Sequence, residues 1–183
     1  MAVKGEQKIF MQIETERLLR KPRKLADVEA LARLWTDPDV ARYMGGPRDY
    51  EKIKQDILQE ALFGNQTTPD DLWPTVEKKS NQVMGHYGLL KKEVDGVPEV
   101  ELVYVLAKDS WSKGHTVEAA RALQDYAFNE LGLKRLIALI EPENLISAKV
   151  AIKVGMMKEK ETLRPNGKLM QVYGIHKKQI VMR

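Results

Sequence analysis

The chain of 183 residues contains no cysteine, which excludes disulfides and thiolate-bound zinc from the outset. Its three histidines, His86, His115 and His176, form no HxxH or HExxH spacing, so the sequence supports no metal centre. The N-terminus lacks a long apolar run and has only isolated lysines before IFMQI, so neither a signal peptide nor a membrane span is expected. A cytoplasmic protein is the default expectation. A concentrated charge of one sign is missing too. The chain has 30 basic and 26 acidic side chains for a net +4, and the excess is diffuse apart from short runs such as Arg20, Lys21, Arg23, Lys24 and Lys177, Lys178. Nucleic-acid binding calls for a basic face with interleaved aromatics, and this pattern argues against it, whereas a mild positive balance suits an anionic cofactor.

What is present is ordinary globular material, 43% hydrophobic and 31% charged. Residues 1–10 read as a polar leader and 11–183 as a single domain, with no internal repeat or linker. MQIETERLLR (11–20) reads as a strand with Ile13 and Leu18 or Leu19 turned inward. Leu25, Val28, Leu31, Leu34 and Trp35 recur at helical spacing and are closed by TDPD; Ile53, Ile57, Leu58 and Leu62 repeat the pattern over 49–63, ended by Gly64 and NQTTPDD. Strands are expected over 72–78, 83–91 and 97–107, joined by SNQ and VDG turns into an antiparallel meander. A helix over 116–131, a buried strand over 134–140, a short helix over 147–154 and a strand pair, 157–163 and 169–176, around PNGK complete the order βααβββαβαββ. That order is an α/β domain built on one mixed sheet.

The chemistry concentrates in residues 99–157. In WSKGHTVEAA, Gly114 stands where a strand-to-helix turn exposes backbone N–H groups at the start of a helix near Thr116, a cradle suited to pyrophosphate, with Lys113 able to add a charge. The plainer alternative is a turn glycine followed by Thr116 as N-cap. In VELVYVLA, strand alternation puts Glu101, Val103 and Val105 on one face and Leu102, Tyr104 and Leu106 on the other. Glu101 is then a carboxylate inside an apolar strand. Unpaired, it would have a raised pKa and suit a general base; the alternative is a structural ion pair to Arg17 or Arg135.

The order of elements, with ETERLLR, DPDVARYMGG and ELVYVLAKDSWSKGHTVEAARALQDYAFNELGLKRLIALIEPENLISAKVAIKVGM, resembles the GNAT superfamily of N-acetyltransferases, and within it the RimJ/RimL-like branch, over roughly residues 11–177. The resemblance implies a GNAT-type twisted sheet, mixed and mostly antiparallel, flanked by helices, with acetyl-CoA as cosubstrate and no metal. It maps the pantetheine arm to the backbone of Val105, Leu106 and Ala107. The pyrophosphate falls to Ser112, Lys113, Gly114, His115, Thr116 and Val117, and the cofactor arm to Asn144 and Ser147. The family loop reads close to WGKGYATEA, so this chain departs at Ser112, His115, Thr116 and Val117. Ser112 is unstrained if its φ is negative and strained by about 1 kcal/mol if it is positive. Thr116 is expected to donate its hydroxyl to a phosphate. Asn144 serves as helix cap, cofactor contact or both. Lys149 and Lys153 either reach the adenosine phosphates or are solvated. Where many members carry a tyrosine seven residues after the asparagine, this chain has Ala151, leaving Tyr126, Tyr104, a water or no acid at all to serve the leaving thiolate.

These readings imply acetyl transfer to a primary amine with Glu101 taking a proton, and with Tyr126 as the named candidate acid. The acceptor is a protein N-terminus, of the ribosomal-protein type, or a small amine such as an amino acid, polyamine or antibiotic. The helix pair over 25–63 is expected to line the acceptor side, with Trp35, Tyr43, Met44 and His86 as candidates and core packing as the competing role of each. A non-catalytic CoA-binding or peptide-binding module on the same fold is the reading from a different class. An RNA-associated protein ranks last. Monomer and homodimer are equally compatible with the sequence.

Overall fold

The computed structural model describes residues 12–63 and 71–177; the polar leader and the loop beginning at Gly64 lie outside them. Eight strands, β1 (Ile13–Glu14), β2 (Leu18–Arg20), β3 (Leu72–Glu77), β4 (Val83–Val94), β5 (Val97–Leu106), β6 (Arg135–Ile140), β7 (Met157–Leu163) and β8 (Leu169–His176), form one sheet in the order β1-β2-β3-β4-β5-β6-β8-β7. Its ladders are antiparallel except between β5 and β6. This is the mixed, mostly antiparallel α/β architecture expected from the sequence.

Two helical layers cover the sheet. The helices α1 (Val28–Thr36) and α3 (Tyr50–Phe63) pack Leu31, Leu34, Trp35, Ile53 and Ile57 onto Val103 and Val105 of β5. On the opposite face α4 (His115–Asn129) and α5 (Leu145–Lys153) pack Ala120, Leu123, Phe128 and Ala151 against Tyr87, Leu89, Leu102 and Leu106. The strand alternation anticipated for β5 is therefore realised, with each face feeding a separate core. Every fully buried leucine or phenylalanine in these layers contributes about 1.5–3 kcal/mol relative to exposure.

The single strand expected over 11–20 is divided within the described residues, 12–20. β1 and β2 pair with each other, Ile13 opposite Arg20, around a turn in which the Thr15 N–H donates to the Leu18 carbonyl at 2.9 Å and the Leu18 N–H to Thr15 Oγ1 at 2.9 Å. The first helical segment opens with a 3-10 turn (Leu25–Asp27) before α1, and TDPD does more than end it. Asp37 accepts N–H bonds from Asp39 and Val40 and so caps a further short helix, α2 (Pro38–Ala41), with proline at its first position. α5 starts at Leu145, two residues before the expected boundary, because Asn144 caps it through the Ser147 N–H.

Candidate active site

β5 and β6 register only at Glu101 and Ile137, and beyond that point they part. The gap holds a cavity of about 260 Å³, walled by β5 residues 102–106, β6 residues 138–140 with Glu141 just after them, Thr116 of α4, the first turn of α5, and Val40, Tyr43 and Met44 from α2 and the turn after it.

Glu101 sits where the two strands fork and lines this cavity, with 7% of its surface exposed. Its Oε1 accepts the Leu139 N–H at 3.3 Å. Burial raises its pKa above the usual carboxylate range, opposed by Lys92, the Leu139 N–H and Arg164. Neither arginine considered as a partner serves it. Arg17 bonds Glu118 at 2.6 Å, and Arg135 bridges Glu99 at 3.1 Å and Glu159 at 2.6 Å.

From the opposite face of β5, the Tyr104 hydroxyl donates to the Ser147 carbonyl at 3.0 Å and accepts from Ser147 Oγ at 3.1 Å. Burial pushes the Tyr104 phenol up to about 12, so it stays protonated at neutral pH. Asn144 Oδ1 accepts the Ser147 N–H at 3.1 Å, and the Tyr43 hydroxyl donates to the Glu143 carbonyl at 3.2 Å. These bonds tie the first turn of α5 to both β5 and the segment after α2.

The loop before α4 is shaped by two left-handed residues, Ser112 at φ 61° and Gly114 at φ 80°. Gly114 is the N-cap of α4, and no side chain caps the helix, so its first-turn N–H groups remain available to an anion. Arg17, held by Glu118, donates from Nη1 to the Lys113 carbonyl at 2.9 Å, and Trp111 Nε1 donates to the Leu106 carbonyl at 3.0 Å. The loop is thus pinned to the β1–β2 hairpin at one end and to β5 at the other.

Comparison with known proteins places the chain that carries this geometry in a family. The acetyltransferase (GNAT) domain model matches residues 17–157. The chain belongs to the GNAT acetyltransferase family. The Bacillus subtilis protein YkkB is 33% identical over 144 residues, covering 76% of this chain and 80% of YkkB. The N-acetyltransferase p20 of Bacillus licheniformis is 29% identical over 163 residues, covering 87% of this chain and 91% of that one. Among solved structures, a GNAT-family acetyltransferase from Bacillus anthracis superposes with a TM-score of 0.76 at 28% identity, over 92% of this chain and 99% of that chain.

In this acetyltransferase, Glu101, Val105, Leu106, Thr116, Asn144, Ser147, Tyr43 and Met44 all line the cavity. Ser112, Lys113 and Gly114 form the loop next to it. Ala107 follows β5, its N–H committed to the Met84 carbonyl at 2.9 Å. His115 turns away: it is 4% exposed, its Nε2 lies 3.9 Å from Glu77 Oε1, and burial, with Arg17 nearby, lowers its pKa. Thr116 is inside the helix rather than its cap. Val117 packs on the core, and Lys149 is exposed outside the cavity. Tyr126 packs against the core along α4 and does not reach the cavity.

Trp35 and His86 are core residues. Trp35 Nε1 donates to His86 Nδ1 at 3.3 Å, Arg48 stacks 4.2 Å over the Trp35 ring, and burial among Arg23, Arg48 and Arg20 drives the His86 pKa down to about 3.

Sequence reasoning missed Lys92, Trp111, Glu141 and Arg164 as cavity residues. For Lys92 a signal existed. A two-residue Asp95-Gly96 turn sets Val94 opposite Val97, hence Leu90 opposite Glu101 and Lys92 on the same face one step away. Arg164 arrives from the β7–β8 hairpin, a meeting no local pattern encodes.

Proposed function

We propose that this acetyltransferase moves an acetyl group from acetyl-CoA to a primary amine, in the manner of the RimJ/RimL-like branch, with Glu101 as the proton acceptor. The observation that carries the reading is a buried carboxylate at the strand fork with one backbone N–H bond and no side-chain ion pair among the described residues. The chain's own groups fit the cosubstrate. Uncapped N–H groups at the start of α4, with Lys113 beside them, suit the pyrophosphate, and Leu102, Leu106, Ile140 and Val150 offer apolar walls to the pantetheine arm. Acetyl-CoA supplies the acetyl thioester when bound. The acceptor ammonium gives one proton to Glu101; the N–C bond forms as the C–S bond breaks, and the second amine proton leaves with the sulfur. Backbone N–H groups along the unladdered edge of β5 polarise the carbonyl, and Tyr43 and Met44 line the acceptor side. Of the phenols considered as acid, Tyr104 is supported over Tyr126 by its place in the cavity wall and its protonated state.

Purified protein should bind acetyl-CoA by calorimetry and release CoA with members of an amine and peptide panel. Glu101→Gln should lower kcat by about 10²–10⁴-fold while leaving acetyl-CoA binding intact. An unchanged kcat sinks the assigned role of Glu101. A second reading, a CoA-binding module without turnover, is favoured by one observation: Ala151, at the position of the family tyrosine, is fully buried in the core and faces no cavity. CoA binding with no acetylated product across the panel selects that reading.

A further inference from the structure

The charges around Glu101 identify the class of acceptor. Five ionisable acidic or basic side chains line the cavity: Asp39, Lys92, Glu101, Glu141 and Arg164. Two of the carboxylates are already neutralised, Asp39 by Lys108 and Glu141 by Lys168 at 2.6 Å. The two cations are not. Among the described residues neither Lys92 nor Arg164 has an ion-pair partner, and the electrostatic influence of both falls on the buried Glu101 carboxylate. Lys92 is the diagonal cross-strand neighbour of Glu101, because Leu90 stands directly opposite it and strand alternation keeps residue 92 on the same face. Arg164 closes the same space from the start of the β7–β8 turn.

We infer that the acceptor amine carries a carboxylate close to its nitrogen, read by Lys92 and Arg164 while Glu101 receives the ammonium. The reading rests on the acetyl-transfer function proposed above and extends it to a substrate class. An ammonium alone is attracted by one uncommitted carboxylate and repelled by two uncommitted cations, so a polyamine is selected against. A zwitterion satisfies all three groups, and Arg164 can take the carboxylate through a two-pronged contact. The shared chemistry has two sources: the α-carboxylate of a free amino acid, and an acidic side chain at or next to a peptide N-terminus.

The test uses the full chain with acetyl-CoA, CoA release and mass-spectrometric product identification. Its acceptor arms are free amino acids with their carboxamides, peptides beginning with Asp or Glu with their Asn or Gln counterparts, and spermidine. Within the amino-acid or the peptide arm, the carboxylate member should exceed its amide in kcat/KM by about tenfold or more. Lys92→Met with Arg164→Gln should reduce that ratio by a similar factor. Because both side chains are exposed, these substitutions leave the fold intact, which a thermal melt checks. The arm that shows the preference names the source. Equal rates for acid and amide, faster acetylation of spermidine, or an acid-to-amide ratio unmoved by the double substitution overturns this inference while the acetyl-transfer reading stands. CoA release with no amine in any arm overturns both.

Discussion

Ser112→Gly should stabilise the protein, and the size of the gain follows from the backbone. Ser112 sits at φ 61°, in the left-handed region, two residues before the left-handed Gly114. For an L-residue with a Cβ that conformation costs about 1–2 kcal/mol, and glycine removes the cost. Glycine also frees the unfolded chain, which takes back about 0.4–1 kcal/mol. Among the described residues the Ser112 hydroxyl has no hydrogen-bond partner, so the substitution forfeits no contact. The net gain spans about 0–1.6 kcal/mol with its centre at about 0.8 kcal/mol, which for a chain of this length raises Tm by about 2–3 °C at the centre. Calorimetric unfolding of wild type, Ser112→Gly and Ser112→Ala checks it, since alanine keeps the Cβ and the strain while deleting the hydroxyl. Glycine should melt highest and alanine no higher than wild type. A glycine variant that melts at or below wild type refutes the claim that strain is stored at this turn.

Glu101→Gln should also change the pH dependence of stability. The native pKa lies above the unfolded value of about 4.3, so the folded state holds the proton longer, and stability is lost as pH rises through the window between the two. The Tm advantage of the glutamine variant should therefore be small below pH 4 and grow toward neutrality; a constant difference counts against burial as the cause. His86 works in the other direction. Its folded pKa of about 3 lies below the unfolded value of about 6.5, so stability falls as pH drops through that interval, and His86→Gln should flatten this part of the Tm profile relative to wild type. Parallel profiles would place the acid sensitivity elsewhere. Arg17→Ala releases the Lys113 carbonyl and the Glu118 carboxylate, an exposed arrangement worth no more than about 1 kcal/mol of stability. The effect should instead appear in calorimetry as acetyl-CoA binding weakened by about two- to tenfold, because the loop before α4 loses its tether. Unaltered affinity would mean the loop keeps its shape without Arg17.

The parts of the fold that were legible in sequence are those whose periodicity is local. β7 and β8 fall where alternation around PNGK puts them, and the two faces of β5 separate as the order Glu101 to Leu106 dictates. The loop before α4 was legible through its glycine, and its serine posed a question only a backbone angle answers. Features made by distant partners were hidden. The β1–β2 turn has no glycine, proline or asparagine to announce it; it is stabilised by Thr15, whose Oγ1 donates to Glu118 at 2.5 Å, and by Arg17, both reaching α4 roughly a hundred residues away. Trp35 and His86 carry residue types common in acceptor pockets, and their mutual hydrogen bond, which makes them core, depends on β4 meeting α1.

The strand fork itself explains why Glu101 stays unpaired. Glu99, two residues earlier on the same face, takes Arg135, which Glu159 also engages, so that guanidinium is committed elsewhere. A parallel ladder continued past Ile137 would use the Leu139 N–H on the β5 backbone. Because the strands part, that N–H turns to the Glu101 carboxylate instead. One divergence therefore opens the groove and supplies the carboxylate with its single neutral donor, too little to cancel the cost of its burial. It also dictates the choice of probe. Glu101→Ala would strand the Leu139 N–H at a cost of about 1–3 kcal/mol and confuse instability with lost catalysis. Glu101→Gln keeps an acceptor oxygen for that N–H and removes the capacity to take a proton together with the cost of a buried charge, so a fall in kcat with no loss of stability or cosubstrate affinity reports the base alone.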